Sequence, residues 1–234
     1  SFKQQILSEE PAVDKNHMIY TLMTAFDKQF PMDEIPNYEP SYEASIAGIA
    51  ESSNKSVMEV MYEELIKNEG KTFVWAPFSP YPDHNLDTYK MMMEFESSVA
   101  GLSDGGAHCG LICDASMPTW NVAHYTRDRV KGKKIPLEFL VRKQTKETAE
   151  TFGLMDRGQI KEGYMADINI IDHDNLCVYK PEMVHDLPTG SRRIIQKAGG
   201  YIATIKSGVV TFKNDEATGE LPGTLIRGEQ TAAA

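Results

Sequence analysis

Gly101-Leu102-Ser103-Asp104-Gly105-Gly106-Ala107-His108 is the stretch on which the fold turns. The run from Val99 to Ser103 predicts a short strand, and Asp104 stands at its end, followed at once by two glycines. In a parallel α/β architecture, strand ends present their last side chains to a common crevice, which is where ligands bind. Asp104 is therefore the leading catalytic candidate. Glycine lets backbone approach a ligand or metal closely, so Gly105 joins Ser103 and His108 as the residues expected to contact a substrate. Asp-Gly also closes many ordinary turns, and from spacing alone that reading carries equal weight. A serine hydrolase built on Ser103 is a runner-up of low weight, because no acid and histidine follow in a convincing order.

Outward from this stretch, apolar residues at three-and-four spacing predict helices over Ser41 to Glu51, Ser56 to Asn68 and Asn85 to Ser97. Gly70 is the natural stop after the second. Two more helices, Pro118 to Lys131 and Pro136 to Phe152, carry proline in the first turn, and Gly153 ends the later one. Lys71 to Ala76 reads as a short buried strand, and the first thirty residues as a strand or irregular segment. Prolines between Phe30 and Pro40 mark a surface connection. After Gly153 the texture turns to β: Met165 to Asp172, then Tyr201 to Lys206 and Val209 to Lys213 joined by Ser207-Gly208 as a hairpin. The order gives an α/β layer over residues 1–157 and a β segment over residues 158–234.

Composition narrows the partners. The chain has 41% hydrophobic and 25% charged residues, an ordinary globular balance. With 24 basic against 34 acidic side chains the formal charge is −10, a field that repels phosphate backbones and anionic lipid. Neither nucleic acid nor membrane is an expected partner. Cys109, Cys113 and Cys177 are too few for a disulfide framework, and Ser1 to Glu10 lack the basic start and apolar run of a secretory leader, so a reducing, cytoplasmic setting is expected. A metal site from His108, Cys109 and Cys113 ranks low, since no second ligand pair follows at a regular spacing. Asp83-His84 reads as loop chemistry. The Arg127-Asp128-Arg129 triplet reads as a solvated helix face.

Several separated motifs then share one likeness. GLSDGGAH from Gly101, CDAS from Cys113, RDR from Arg127, the run from Ile135 to Asp172, HDLP from His185 and LPGTLIRG from Leu221 resemble the C-terminal half of the N-acyl-D-amino-acid deacylases. These form the D-aminoacylase branch of the amidohydrolase superfamily, and the resemblance runs from about Ser41 to Gly228. It implies the C-terminal part of a metal-dependent (β/α) barrel followed by a small β-sandwich segment. It also implies a zinc centre at which an aspartate, matched by Asp104, meets the metal, takes a proton from bound water and passes it to the leaving amine. The implied substrate is a small N-acyl amino acid or a related amide.

The departures from that pattern are specific. The family's His-x-His pair and its later histidine ligands are not found, so zinc would be supplied mainly by ligands missing from this chain. A complete barrel needs about 250 residues, and the chain is accordingly expected to be the last part of a longer protein, inactive in isolation. The His-Pro-His-Pro-Arg run whose arginine holds the substrate carboxylate is replaced by Leu111 to Met117, leaving Arg127 and Arg129 as candidates for that task. The competing expectation is a non-catalytic module that forms a homo-oligomer or completes another chain's barrel through open apolar edges.

Overall fold

The computed structural model describes residues 2–10, 12, 14–78, 81–101, 103, 106 and 108–231. The chain divides into two compact units, Ser1–Leu86 and Asp87–Ala234.

In the first unit the apolar patterns after Ser41 become helices α3 (Ile46–Ser53) and α4 (Val57–Gly70), which follow α1 (Phe2–Ser8) and α2 (Met18–Thr24). Serine starts both of the longer ones. Ser45 Oγ accepts from the Gly48 amide at 3.0 Å and Ser56 Oγ from the Glu59 amide at 3.2 Å, satisfying donors that a helix start leaves open. Ile46, Ala50 and Val60 form the buried centre, with Phe26, Ile49, Val57 and Met61 packed around it. Strands β1 (Phe30–Pro31) and β2 (Val74–Trp75) pair antiparallel beside an aromatic group. There the Phe30 and Trp75 rings lie 5.5 Å apart, and the buried Tyr81 hydroxyl donates to Pro40 O at 2.7 Å. The His84 ring sits among Phe30, Tyr42 and Tyr81 and contacts Asp27 O at 2.9 Å, which is the loop role expected of it.

The second unit opens with α5 (Asp87–Glu94). Helix α6 (Met117–Ala123) then runs into a π-helical turn over His124–Asp128. Helix α7 (Leu137–Arg142) passes through a second π-helical turn, Lys143–Glu147, into α8 (Thr148–Thr151). The β part holds β3 (Ile168–Ile171), β4 (Cys177–Val178), β5 (Glu182–Val184), β6 (Arg193–Ile195), β7 (Ala198–Gly199), β8 (Tyr201–Lys206), β9 (Val209–Lys213) and β10 (Glu216–Ala217). Its main sheet has the order β10-β9-β8-β3, and β4-β7 and β5-β6 form two small ladders. Ser207 and Gly208 take φ values of 52° and 81° between β8 and β9, the left-handed pair that a two-residue hairpin requires.

The expected C-terminal part of a (β/α) barrel followed by a β-sandwich segment is corrected here to an α/β fold with open sheets. A barrel needs parallel strands, each paired on both sides until the sheet closes. Among the described residues every strand pair is antiparallel, and the parallel contact seen is the isolated bridge Leu154 to Gln230. Strand β2 pairs with β1 alone, and Val99, Ala100, Gly101 and Ser103 lie in no strand. The carbonyls of Ser98 and Ala100 instead accept hydrogen bonds from the Lys143 and Thr148 side chains. Within the opening thirty residues, Phe2–Ser8 and Met18–Thr24 are helical where a strand or irregular segment was expected, with His17 Nδ1 accepting from the Ile19 amide to start α2.

Asp167 ties the hairpin to the entry of the β part. Its Oδ1 accepts from the Ser207 amide at 2.9 Å and from Lys206 Nζ at 2.9 Å, and Arg157 reaches Oδ2 at 3.4 Å. Burial acts to raise its pKa, but the bonds from Lys206 and Ser207 outweigh it and hold the carboxyl below its usual value. A depressed folded pKa stabilises the fold above the unfolded value and loses that contribution as pH falls through the folded one. Asp167→Asn keeps an acceptor for Ser207 while removing the charge. Urea denaturation is expected to show it about 1 kcal/mol less stable at pH 7, with the difference from wild type closing below about pH 4.

Candidate active site

The Gly101–His108 stretch is held at both flanks within the second unit. On its N-terminal side, Lys143 Nζ donates to Phe95 O at 3.1 Å and Ser98 O at 2.6 Å. The Thr148 hydroxyl lies 2.9 Å from Ala100 O. On its C-terminal side, the Ile194 amide of β6 donates to Cys109 O at 2.6 Å, and Ser116 donates to Gln196. The residues before the stretch thus rest on Lys143 and Thr148, and Cys109 after it rests on β6.

Asp104 and Gly105 lie outside the described residues. Ser103 is half-buried. His108 is exposed with φ +49°, and its carbonyl accepts from the Leu111 and Ile112 amides at 2.8 and 2.9 Å, which makes it the start of a turn.

The next helix docks on the β part through polar contacts. Thr119 Oγ1 and the Tyr201 hydroxyl are 2.7 Å apart, and Thr126 Oγ1 lies 2.7 Å from His173 Nε2. Arg127 forks onto Asp128 through Nε and Nη2 at 2.6 and 2.7 Å and also donates to the carbonyls of His173 and Leu176. Arg129 is 2% exposed. Its Nη2 meets Asp87 Oδ1 at 2.8 Å, its Nη1 donates to Lys133 O at 3.1 Å, and its guanidinium sits 5.4 Å from the Tyr125 ring centre. Both arginines therefore tie structure together. With Arg129 buried, the triplet is not the solvated face its sequence suggests.

Burial, helped by the Asp114 charge, pushes the Cys113 thiol up to about 11, so without a metal it is protonated at neutral pH. Among the described residues no group of three His, Cys, Asp or Glu side chains converges to hold a metal. These residues do not fit a zinc centre, and no chemical step is assigned to one.

Lys143 went unnoticed in the sequence. Its side chain is 4% exposed and pairs with Glu147 at 3.0 Å. The signal was available, because Lys143 follows Leu137 and Leu140 at steps of three and so occupies the buried stripe of its helix. Glu147 is under opposing influences: burial acts to raise its pKa, while Lys143 and Arg142 prevail and hold it below the usual carboxylate value.

Comparison with known proteins agrees with the resemblance carried by the motifs. A D-aminoacylase from Alcaligenes xylosoxydans xylosoxydans is 32% identical over 105 residues, covering 45% of this chain and 19% of the relative. A crystal structure of D-aminoacylase, described as defining a novel subset of amidohydrolases, matches with 23% identity and a TM-score of 0.42, covering 82% of this chain and 36% of that one. A D-aminoacylase mutant in complex with copper chloride gives the same figures. The chain thus spans well under half the length of these relatives. Among the described residues, no helix is long and apolar enough to cross a membrane. The amidohydrolase family model matches residues 72–212, more than half of the sequence and all of the Gly101–His108 stretch, and the chain belongs to the amidohydrolase family.

Proposed function

We propose that the protein hydrolyses carbon–nitrogen bonds other than peptide bonds, and that its substrates are N-acyl-D-amino acids. The match of the amidohydrolase family model across residues 72–212 carries this reading, and the likeness to a D-aminoacylase over 105 residues supports the narrower substrate. Asp104 is the proposed proton carrier. It takes a proton from the attacking water and returns it to the amine nitrogen as the acyl–nitrogen bond breaks, so that protons balance over one turnover. Ser103, Gly105 and His108 are the proposed substrate contacts around it.

The test is release of free amine from N-acetyl-D-amino acids and their L enantiomers by a protein that carries this chain together with the remaining length of its relatives. Faster release from the D series is expected. Equal rates for the two series would overturn the D-amino-acid assignment. No release from either series by that longer protein would overturn the hydrolase reading.

A further inference from the structure

The first unit carries 14 of the chain's 34 acidic residues and 6 of its 24 basic ones, so it holds most of the negative charge and attracts cations. Within it lies a cavity of about 50 Å³, against roughly 10–15 Å³ needed for a single water. Phe30, Met32, Pro40 and Trp75 give it apolar walls, and Asp33 and Asn37 are the polar side chains among them.

These walls are fixed by contacts of their own. Phe30 and Trp75 are opposed across the β1–β2 ladder, which the Met32 amide extends by donating to Phe73 O at 2.9 Å. The Tyr38 ring meets Trp75 edge-on at 5.3 Å. Asn37 Oδ1 accepts from the Glu39 amide at 2.9 Å, and the buried Glu39 side chain accepts from the Leu86 amide at 2.6 Å. Pro31, Pro36 and Pro40 restrict the backbone between these anchors. A site whose walls are ordered beforehand loses little affinity to their ordering.

Asp33 stands out in this wall. It is exposed, and among the described residues its carboxylate has no ion-pair partner. An aromatic ring presents a negative face, and rings beside a carboxylate favour a cation whose own surface is apolar. An anion is repelled here, and an uncharged apolar guest takes water from the carboxylate without pairing its charge. We propose that the cavity between Phe30, Trp75 and Asp33 is a binding site for a small methylated ammonium ion, held against the rings and paired with the Asp33 carboxylate. This site draws on the first unit alone and does not depend on the role of Asp104.

Tetramethylammonium chloride is the probe, with tert-butanol as an uncharged counterpart of similar shape and sodium chloride at matched ionic strength as the control. Titrations of the full chain followed by amide NMR are expected to show saturable shifts over residues 30–44 and 74–75, with a dissociation constant in the millimolar range. Tert-butanol should bind at least about threefold more weakly. Asp33→Asn should weaken tetramethylammonium binding at least about twofold and Asp33→Lys should remove it. Resonances elsewhere should stay in place in both variants, which shows that they fold.

Shifts that sodium chloride reproduces, or that do not saturate, would overturn the proposal. So would a preference for the ammonium ion below about threefold, which marks an apolar hollow only. A change smaller than about twofold in Asp33→Asn, or saturable shifts that fall on other residues, would overturn it as well.

Discussion

Replacing Asp104 with alanine is expected to lower the rate of N-acyl-D-amino-acid hydrolysis by about two to four orders of magnitude, the usual contribution of a positioned acid–base group. The loss should fall on kcat with KM little changed, because proton transfer matters only as the bond to nitrogen breaks. Asp104→Asn should behave almost the same, since an amide keeps the shape but carries no titratable proton. The competing role of an Asp-Gly aspartate is to close a turn, and it predicts the opposite division. In that case hydrolysis keeps more than a tenth of its rate and the variant loses about 1 kcal/mol of stability. Measuring kinetics and urea denaturation on the same preparations separates the two.

Arg129→Ala is expected to produce the largest loss of stability away from the glycine-rich stretch, about 3 kcal/mol. Its guanidinium joins the start of α5, through Asp87, to the carbonyl of Lys133 and the face of Tyr125. Alanine removes the packed stem and leaves the Lys133 carbonyl without that donor. In a chain of this size the thermal midpoint should drop by roughly 6–12 °C. Lysine at this position should recover less than half, because a single ammonium cannot serve as a flat fork to Asp87 and Lys133 while lying against a ring. Asp87 itself is 62% exposed in its side chain, so water can take over its charge, and the loss must come from the arginine end. A variant within about 0.5 kcal/mol of wild type would place Arg129 among ordinary surface charges.

Local chemistry was the legible part of this sequence. Ser207-Gly208 foretold the hairpin because glycine enters left-handed backbone at no steric cost, and Ser207 is carried into it at φ 52° by the two-residue turn. Strands β8 and β9 fall where alternation placed them, and the helices after Ser41 formed because their stripes meet one another at Ile46, Ala50 and Val60.

Sheet closure was not legible, since a strand exists only when a neighbour offers its edge and the pattern of one segment is silent about that neighbour. Val99 to Ser103 is apolar enough for a strand, yet Lys143 and Thr148 take the Ser98 and Ala100 carbonyls, and no ladder forms among its described residues. The candidate site divides similarly. Residues drew attention by type, as Asp104, His108 and Arg127 did, whereas Lys143 is informative through burial, which only its place on the Leu137 and Leu140 stripe announced. Arg129 was misjudged for the converse reason: Arg-Asp-Arg looks solvated until Asp87, far away in sequence, is known to lie beside it.

The widened turn at Lys143–Glu147 makes this helix sensitive to length as well as to composition. A one-residue deletion is commonly absorbed near a helix end by fraying or by a change of loop. Between Lys143 and Thr148 it would rotate everything downstream by about 100° about the helix axis. Lys143 would stay beneath Ser98 while Thr148 swung away from Ala100. Alignments of related chains can therefore be judged at this turn by spacing: a gap placed inside it implies a different arrangement of the backbone entering the glycine-rich stretch, even where every neighbouring letter agrees.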